Sequence, residues 1–242
     1  MDEVPGTSRK ASRTVDGVKR GTTPRRGCRR PPGGRPEPLG GRAVGARPYR
    51  GYMAENETLA LHAAALDLFA GHVHRVGPDQ WAAATPCTDW SVRDLVNHMT
   101  VEQLWAPPLL AGDTPAGVGD EYDGDQLGDD PVAAWDAAAA DARAAFAEPV
   151  ALARTVHLSY GDRPAESYCT EMAVDAVVHS WDLARGIGAD DVLPPELAEF
   201  ALDQVEPQAA KLAASGLFAD PVPVPPGADA QTRLLGLTGR RG

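Results

Sequence analysis

The sequence predicts an all-α protein: a four-helix bundle with an additional C-terminal helix and tail. Three observations predict it. Four long stretches place apolar residues at helical spacing. Gly- and Pro-containing breaks separate them. One short run, around residues 151–164, alternates instead.

The first helix is expected from about Glu57 to Val76, where Leu59, Leu61, Leu66, Leu68 and Phe69 form an apolar stripe among alanines. His62, His72 and His74 lie on it, and read as surface or packed residues. The turn Gly77-Pro78-Asp79 leads to Ser91, which reads as an N-cap with Asp94 in a capping-box position. The second helix then runs from Val92 to about Trp105, carries His98 beside its apolar stripe, and is expected to end at Pro107-Pro108. Residues 111–130 hold seven acidic groups without EF-hand spacing, which predicts a solvated loop rather than a calcium site. Pro131 to Ala147, with Val132, Trp135, Ala139 and Phe146 at near-helical spacing, predicts the third helix. A short extended connection or hairpin follows, and Ala165 to Arg185 predicts the fourth, capped by Gly186. A fifth helix is expected from about Glu196 to Ser215, and the leucines of residues 233–240 should pack back on the bundle.

Charge divides the chain into two parts. Residues 1–53 hold 13 Lys/Arg against 4 Asp/Glu, a net of +9. Residues 54–242 hold 10 against 30, a net of −20. The first part, rich in Arg, Gly and Pro, predicts a disordered extension, or a mis-set start with the true one near Met53. The second part is the helical domain. Its acidity argues against nucleic acid or an anionic membrane as a partner, although the Arg-rich arm on its own is a weak nucleic-acid motif. Cys28, Cys87 and Cys169 are scattered, which fits a reducing cytoplasm and neither a disulfide framework nor a cysteine zinc site. Cys169 reads as a small buried hydrophobe. No apolar run approaches the roughly 18 residues that span a bilayer.

The chemistry concentrates in the stretch Asp175-Ala176-Val177-Val178-His179-Ser180-Trp181-Asp182. A carboxylate and an imidazole four residues apart share one helix face. Burying a charge on an apolar face costs several kcal/mol unless it is compensated. A metal ion is one compensator, and a hydrogen bond between Asp175 and His179 across one turn is another.

Two segments together resemble the DinB-like metal-binding superfamily, in the branch related to the N-terminal domain of mycothiol-dependent maleylpyruvate isomerase. They are Thr85-Pro86-Cys87-Thr88-Asp89-Trp90-Ser91 continuing to Asn97-His98-Met99, and Asp175 to Arg185. The ending Leu234-Leu235-Gly236-Leu237-Thr238-Gly239-Arg240 resembles that of a small metal-binding subfamily, and the likeness covers roughly residues 54–240. It implies that His98, Asp175 and His179 bind a divalent metal; Trp181 and Asp182 beside them read either as residues supporting those ligands or as a packing tryptophan and a helix-end charge. Two imidazoles and a carboxylate suit zinc, nickel or iron(II), with zinc the default, and leave coordination positions open.

The resemblance further implies a metal-dependent transferase or isomerase. Mycothiol or a similar low-molecular-weight thiol would be its cosubstrate, and an electrophile its substrate. The isomerase itself has a sizeable C-terminal domain, whereas 56 residues follow Gly186 here, so maleylpyruvate isomerisation is not expected. The competing class is a non-catalytic metal-binding or interaction bundle, a helical homodimer among its forms.

Overall fold

A computed structural model of the chain describes residues 48–215 and 218–242. Residues 1–47, most of the expected disordered extension, lie outside the described residues. The first helix, α1, spans Pro48–Val73, and so reaches back into the segment expected to precede the domain. Then follow α2 (Val92–Ala111), a single turn α3 (Pro115–Val118) and α4 (Pro131–Phe146). A hairpin of β1 (Thr155–Leu158) and β2 (Gly161–Pro164) leads into α5 (Ala165–Ile187). The chain closes with α6 (Pro195–Val205), α7 (Ala209–Ser215) and α8 (Ala230–Leu237). The architecture is all-α apart from that two-stranded hairpin.

The bundle consists of α1, α2, α4 and α5. Helix α1 packs chiefly on α5 and α2 on α4, while α2 also meets α5. Leu66, Phe69, Leu95, Met99, Trp135, Val177 and Trp181 meet in the main core. A second cluster around Phe146, Leu152, Tyr168 and Met172 closes the end nearest the hairpin. No helix among the described residues is long and apolar enough to cross a membrane.

The start of α2 follows the expected capping box. Ser91 accepts from the Asp94 backbone N–H, and the Asp94 carboxylate accepts from Ser91 N–H at 2.9 Å. The end of α2 departs from expectation, because Pro107 and Pro108 lie inside the helix, which runs on to a left-handed cap at Gly112. A proline inside a helix costs about 3 kcal/mol. The last turn offsets that by burying Leu109 and Leu110, each worth about 1.5–3 kcal/mol. Arg154 Nη1 also donates to the Leu110 carbonyl at 3.0 Å.

The fourth bundle helix likewise runs past its expected end. Gly188, at φ +67°, is the left-handed C-cap of α5, and Gly186 is still helical. Gly186 instead lets α5 approach the start of α2. A Cβ at this position would stand 3.1 Å from Thr85 Cγ2 and 3.2 Å from Val92 Cγ2. The expected fifth helix is interrupted after Val205 by a 3₁₀ turn at Glu206–Gln208, where Pro207 has no N–H to donate.

The acidic segment before α4 is mostly exposed, as expected, but α2 anchors it. Asn97 donates to the Gly124 carbonyl and accepts from Gln126 N–H, and Arg93 pairs with Asp125 at 2.6 Å. Helix α8 packs on α6 and buries Leu234 and Leu235, as the tail leucines predicted.

Candidate metal centre

Helix α5 supplies most of the centre. Its registry puts Asp175, His179 and Asp182 on one side, while Trp181 turns to the core and carries Arg185 over its ring at 5.3 Å. Trp181 is therefore a packing residue in the fold. Asp182, by contrast, touches a site histidine directly.

His98 reaches the same place from α2. Its Nε2 lies 3.4 Å from Asp175 Oδ2, and His179 Nε2 lies 3.4 Å from Asp175 Oδ1. The ring centroids of the two histidines are 5.2 Å apart, and one ligand atom from each of the three residues falls within a 4.8 Å cluster. His179 is buried, and the Asp175 side chain keeps 29% of its surface, so the centre opens to one side. Trp90 forms a wall, 4.9 Å from the His98 ring and 6.1 Å from the His179 ring. The turn that aims Trp90 is unusual: Asp89, just before it, adopts φ +71°.

These spacings fit a metal better than a hydrogen-bonded triad. A separation of 3.4 Å exceeds the usual 2.7–3.2 Å range of N–H···O bonds. It is close to the roughly 3.3 Å edge of a tetrahedron whose ligands lie about 2.0–2.1 Å from zinc. Three such donors would leave a fourth coordination position for a bound metal.

Behind His179 stands a second layer. Its Nδ1 is 2.9 Å from Asp182 Oδ2, and Asp182 in turn takes two contacts from Arg240, Nη2 at 2.6 Å and Nε at 3.2 Å. All three residues are buried. Burial alone would raise the Asp182 pKa, but the Arg240 charge and the His179 and Arg240 hydrogen bonds hold it well below the usual carboxylate range. A carboxylate that stays ionised can only accept, so His179 Nδ1 donates to Asp182, and Nε2 is the nitrogen that faces Asp175. At Asp175, burial again works upward, and the neighbouring His179 and His98 bring the net shift downward.

Arg240 and Cys87 belong to this layer, although no spacing in the sequence marks either as part of the site. The Cys87 thiol donates to Asp182 Oδ2 at 3.2 Å and lies 3.8 Å from His179 Nδ1. Cys87, His179 and Asp182 thus form a second cluster of ligand-type atoms. The Arg240 guanidinium, already paired with Asp182 and 3.7 Å from Cys87 Sγ, would repel a cation placed there. The first cluster is the better metal site.

The histidines of α1 and of the turn after it take no part. His62 and His72 are buried in the bundle, and His74 pairs with Asp136 at 2.8 Å. Burial, with Arg143 nearby, lowers the His62 pKa to about 4. The acidic loop contributes no member to either ligand cluster among the described residues.

A groove of about 620 Å³ leads away from His98. It follows α2 past Glu102 and Trp105 toward the hairpin turn at Ser159 and Tyr160.

The family profile described as the mycothiol maleylpyruvate isomerase N-terminal domain matches residues 62–184, which include all three residues of the first cluster. Two uncharacterized proteins of Mycobacterium tuberculosis, Rv0738 of strain H37Rv and MT0763 of strain CDC 1551, are each 33% identical over 200 residues. Each alignment covers 76% of this chain and the whole of the relative. No solved structure matches the chain.

Proposed function

Since the chain belongs to the family of the mycothiol maleylpyruvate isomerase N-terminal domain, we propose that it holds a divalent metal with His98, Asp175 and His179 and serves thiol transfer to an electrophile. The thiol is mycothiol or a similar small thiol, and zinc is the metal that the donor set suits first, with nickel and iron(II) as the other fits. The observation that carries the reading is the pair of 3.4 Å separations from Asp175 to the two imidazoles, on the open side of a buried second layer.

When bound, such a metal supplies a charge that keeps a coordinated thiol deprotonated at neutral pH. The protein's own residues do the rest. Asp182 fixes the tautomer and the ring plane of His179, and Arg240 keeps Asp182 ionised. The Trp90 ring walls one side of the centre and narrows the approach of water. The groove beyond His98 offers room for a substrate beside the open position.

Elemental analysis of the purified protein tests the metal. About one equivalent should be present in the native chain and lost in His98→Ala, Asp175→Ala and His179→Ala; unchanged content in all three variants would rule the centre out. Conjugation of mycothiol to activated aryl chlorides then tests the transfer. A metal-loaded protein that conjugates none of them would be a binding protein.

A further inference from the structure

The groove that opens at His98 has a distinct chemical character. Its walls carry Trp90, Trp105 and Tyr122, with the Trp105 and Tyr122 rings edge to face at 5.4 Å. Its charged groups are carboxylates, Asp89, Asp94 and Glu102. No Lys or Arg is among the described residues that line it. Arg163, at the hairpin end, stacks over the Tyr160 ring at 5.5 Å and stays outside the lining. The phenol groups add no positive charge and stay neutral: Tyr160 donates to Glu171, and burial raises the pKa of Tyr122.

Beyond the metal position, an anion in this groove would lose hydration and meet carboxylates with no Lys or Arg of the lining to pair it. A flat apolar body would instead bury its faces against the indole and phenol rings. We propose that the groove selects an uncharged aromatic electrophile and excludes acidic ones. This inference rests on the thiol-transfer reading only for the word electrophile, since the selection by charge concerns binding.

Selection is also compatible with a balanced reaction on an aryl chloride. The thiolate sulfur forms a bond to the ring carbon, the carbon–chlorine bond breaks, and chloride leaves with the electron pair. The thiol's proton passes to the solvent.

The test uses the full-length, zinc-loaded protein and two unreactive probes that differ by one carboxylate, 1,3-dinitrobenzene and 3,5-dinitrobenzoate. Both quench tryptophan emission, and Trp90 and Trp105 report groove occupancy. The neutral probe should bind saturably and about tenfold or more tighter, the scale of like charges facing each other near a protein surface. Glu102→Lys should narrow or reverse that preference, with Glu102→Gln between the two. Equal affinity, tighter binding of the benzoate, no saturable binding of either probe, or a preference indifferent to Glu102→Lys would overturn the proposal.

Conjugation of mycothiol to 1-chloro-2,4-dinitrobenzene and 4-chloro-3,5-dinitrobenzoate separates the two ideas. Neutral-selective binding without any conjugation removes thiol transfer and keeps the charge selection. Conjugation of the benzoate at an equal rate does the reverse.

Discussion

Arg240 Nη2 lies 2.6 Å from Asp182 Oδ2, joining the segment after α8 to the last third of α5 across 58 positions. Both side chains are buried, and the same Oδ2 of Asp182 also holds the Nδ1 side of His179. The C-terminal tail is thus part of the centre. It reaches there because Gly239, at φ +79°, turns the chain after α8, and because the Arg240 N–H donates to the Leu235 carbonyl at 2.7 Å.

Arg240→Ala should leave Asp182 as a buried, uncompensated charge. We expect a loss of about 3–5 kcal/mol in urea denaturation, the usual cost of breaking a buried pair from one side. Metal affinity should fall roughly 10–100-fold, as it does when support behind a ligating histidine is removed. The double variant Asp182→Asn/Arg240→Met should cost less than the sum of the single changes. Strict additivity would mean that the pair is uncoupled.

Cys87→Ala should leave the metal content of the protein unchanged, while His98→Ala empties it. The thiol stands on the guanidinium side of His179, where a cation would face Arg240. Elemental analysis of the two variants side by side decides it. Loss of metal from Cys87→Ala would move the site to the second cluster.

Stability should fall between pH 6.5 and pH 4, and His62 is one specific source. Its folded pKa of about 4 lies below the unfolded value of 6.5, because burial disfavours the charged ring. Above pH 6.5 neither state carries the proton and nothing is lost. As the pH falls, the unfolded chain takes it up first, and the penalty grows to about 3 kcal/mol near pH 4. The ring is packed edge-on against Phe146 at 5.1 Å, and Nε2 has no hydrogen-bond partner. His62→Leu should therefore flatten the dependence of the melting temperature on pH in this window. An unchanged slope would assign the effect to other groups.

The two glycines near the end of α5 should respond differently to alanine. Gly186→Ala forces a Cβ to 3.1–3.2 Å from Thr85 and Val92 methyl groups, and should cost about 1–3 kcal/mol by crowding α5 against α2. At Gly188 there is open space but a positive φ, so alanine should cost about 1 kcal/mol from backbone strain alone. Shortening Val92 to Ala should relieve the first variant and not the second. Chemical denaturation of the four proteins measures the difference.

The local parts of the centre are legible in the sequence. Asp175 and His179 share a helix face by the four-residue spacing alone, and the Ser91–Asp94 capping box marks the start of the helix that carries His98. These are short-range rules, and a single chain displays them. The ends of α2 and α5 are not legible, for the opposite reason. Pro107-Pro108 is a helix breaker by local preference, but the burial of Leu109 and Leu110 overrules it. Gly186 resembles a cap in isolation, yet its role is set by Thr85 and Val92, about a hundred residues earlier in the chain.

By itself, then, the sequence determined the all-α class, the order of the bundle helices and the pairing of Asp175 with His179, because periodicity and spacing act within one element. That His98 joins that pair was implied by the family resemblance and by no spacing in the chain; the tertiary structure brings the three within reach, and it alone decided that Arg240 and Cys87 stand behind them. It also lined the adjoining groove with aromatic rings and carboxylates. The contacts of Arg240 and Cys87 in the second layer link positions 58 to 153 residues apart, and 77 separate His98 from Asp175. No periodicity reports such pairs. They exist because burying the faces of α2, α5 and α8 leaves one arrangement in which each buried charge meets its partner.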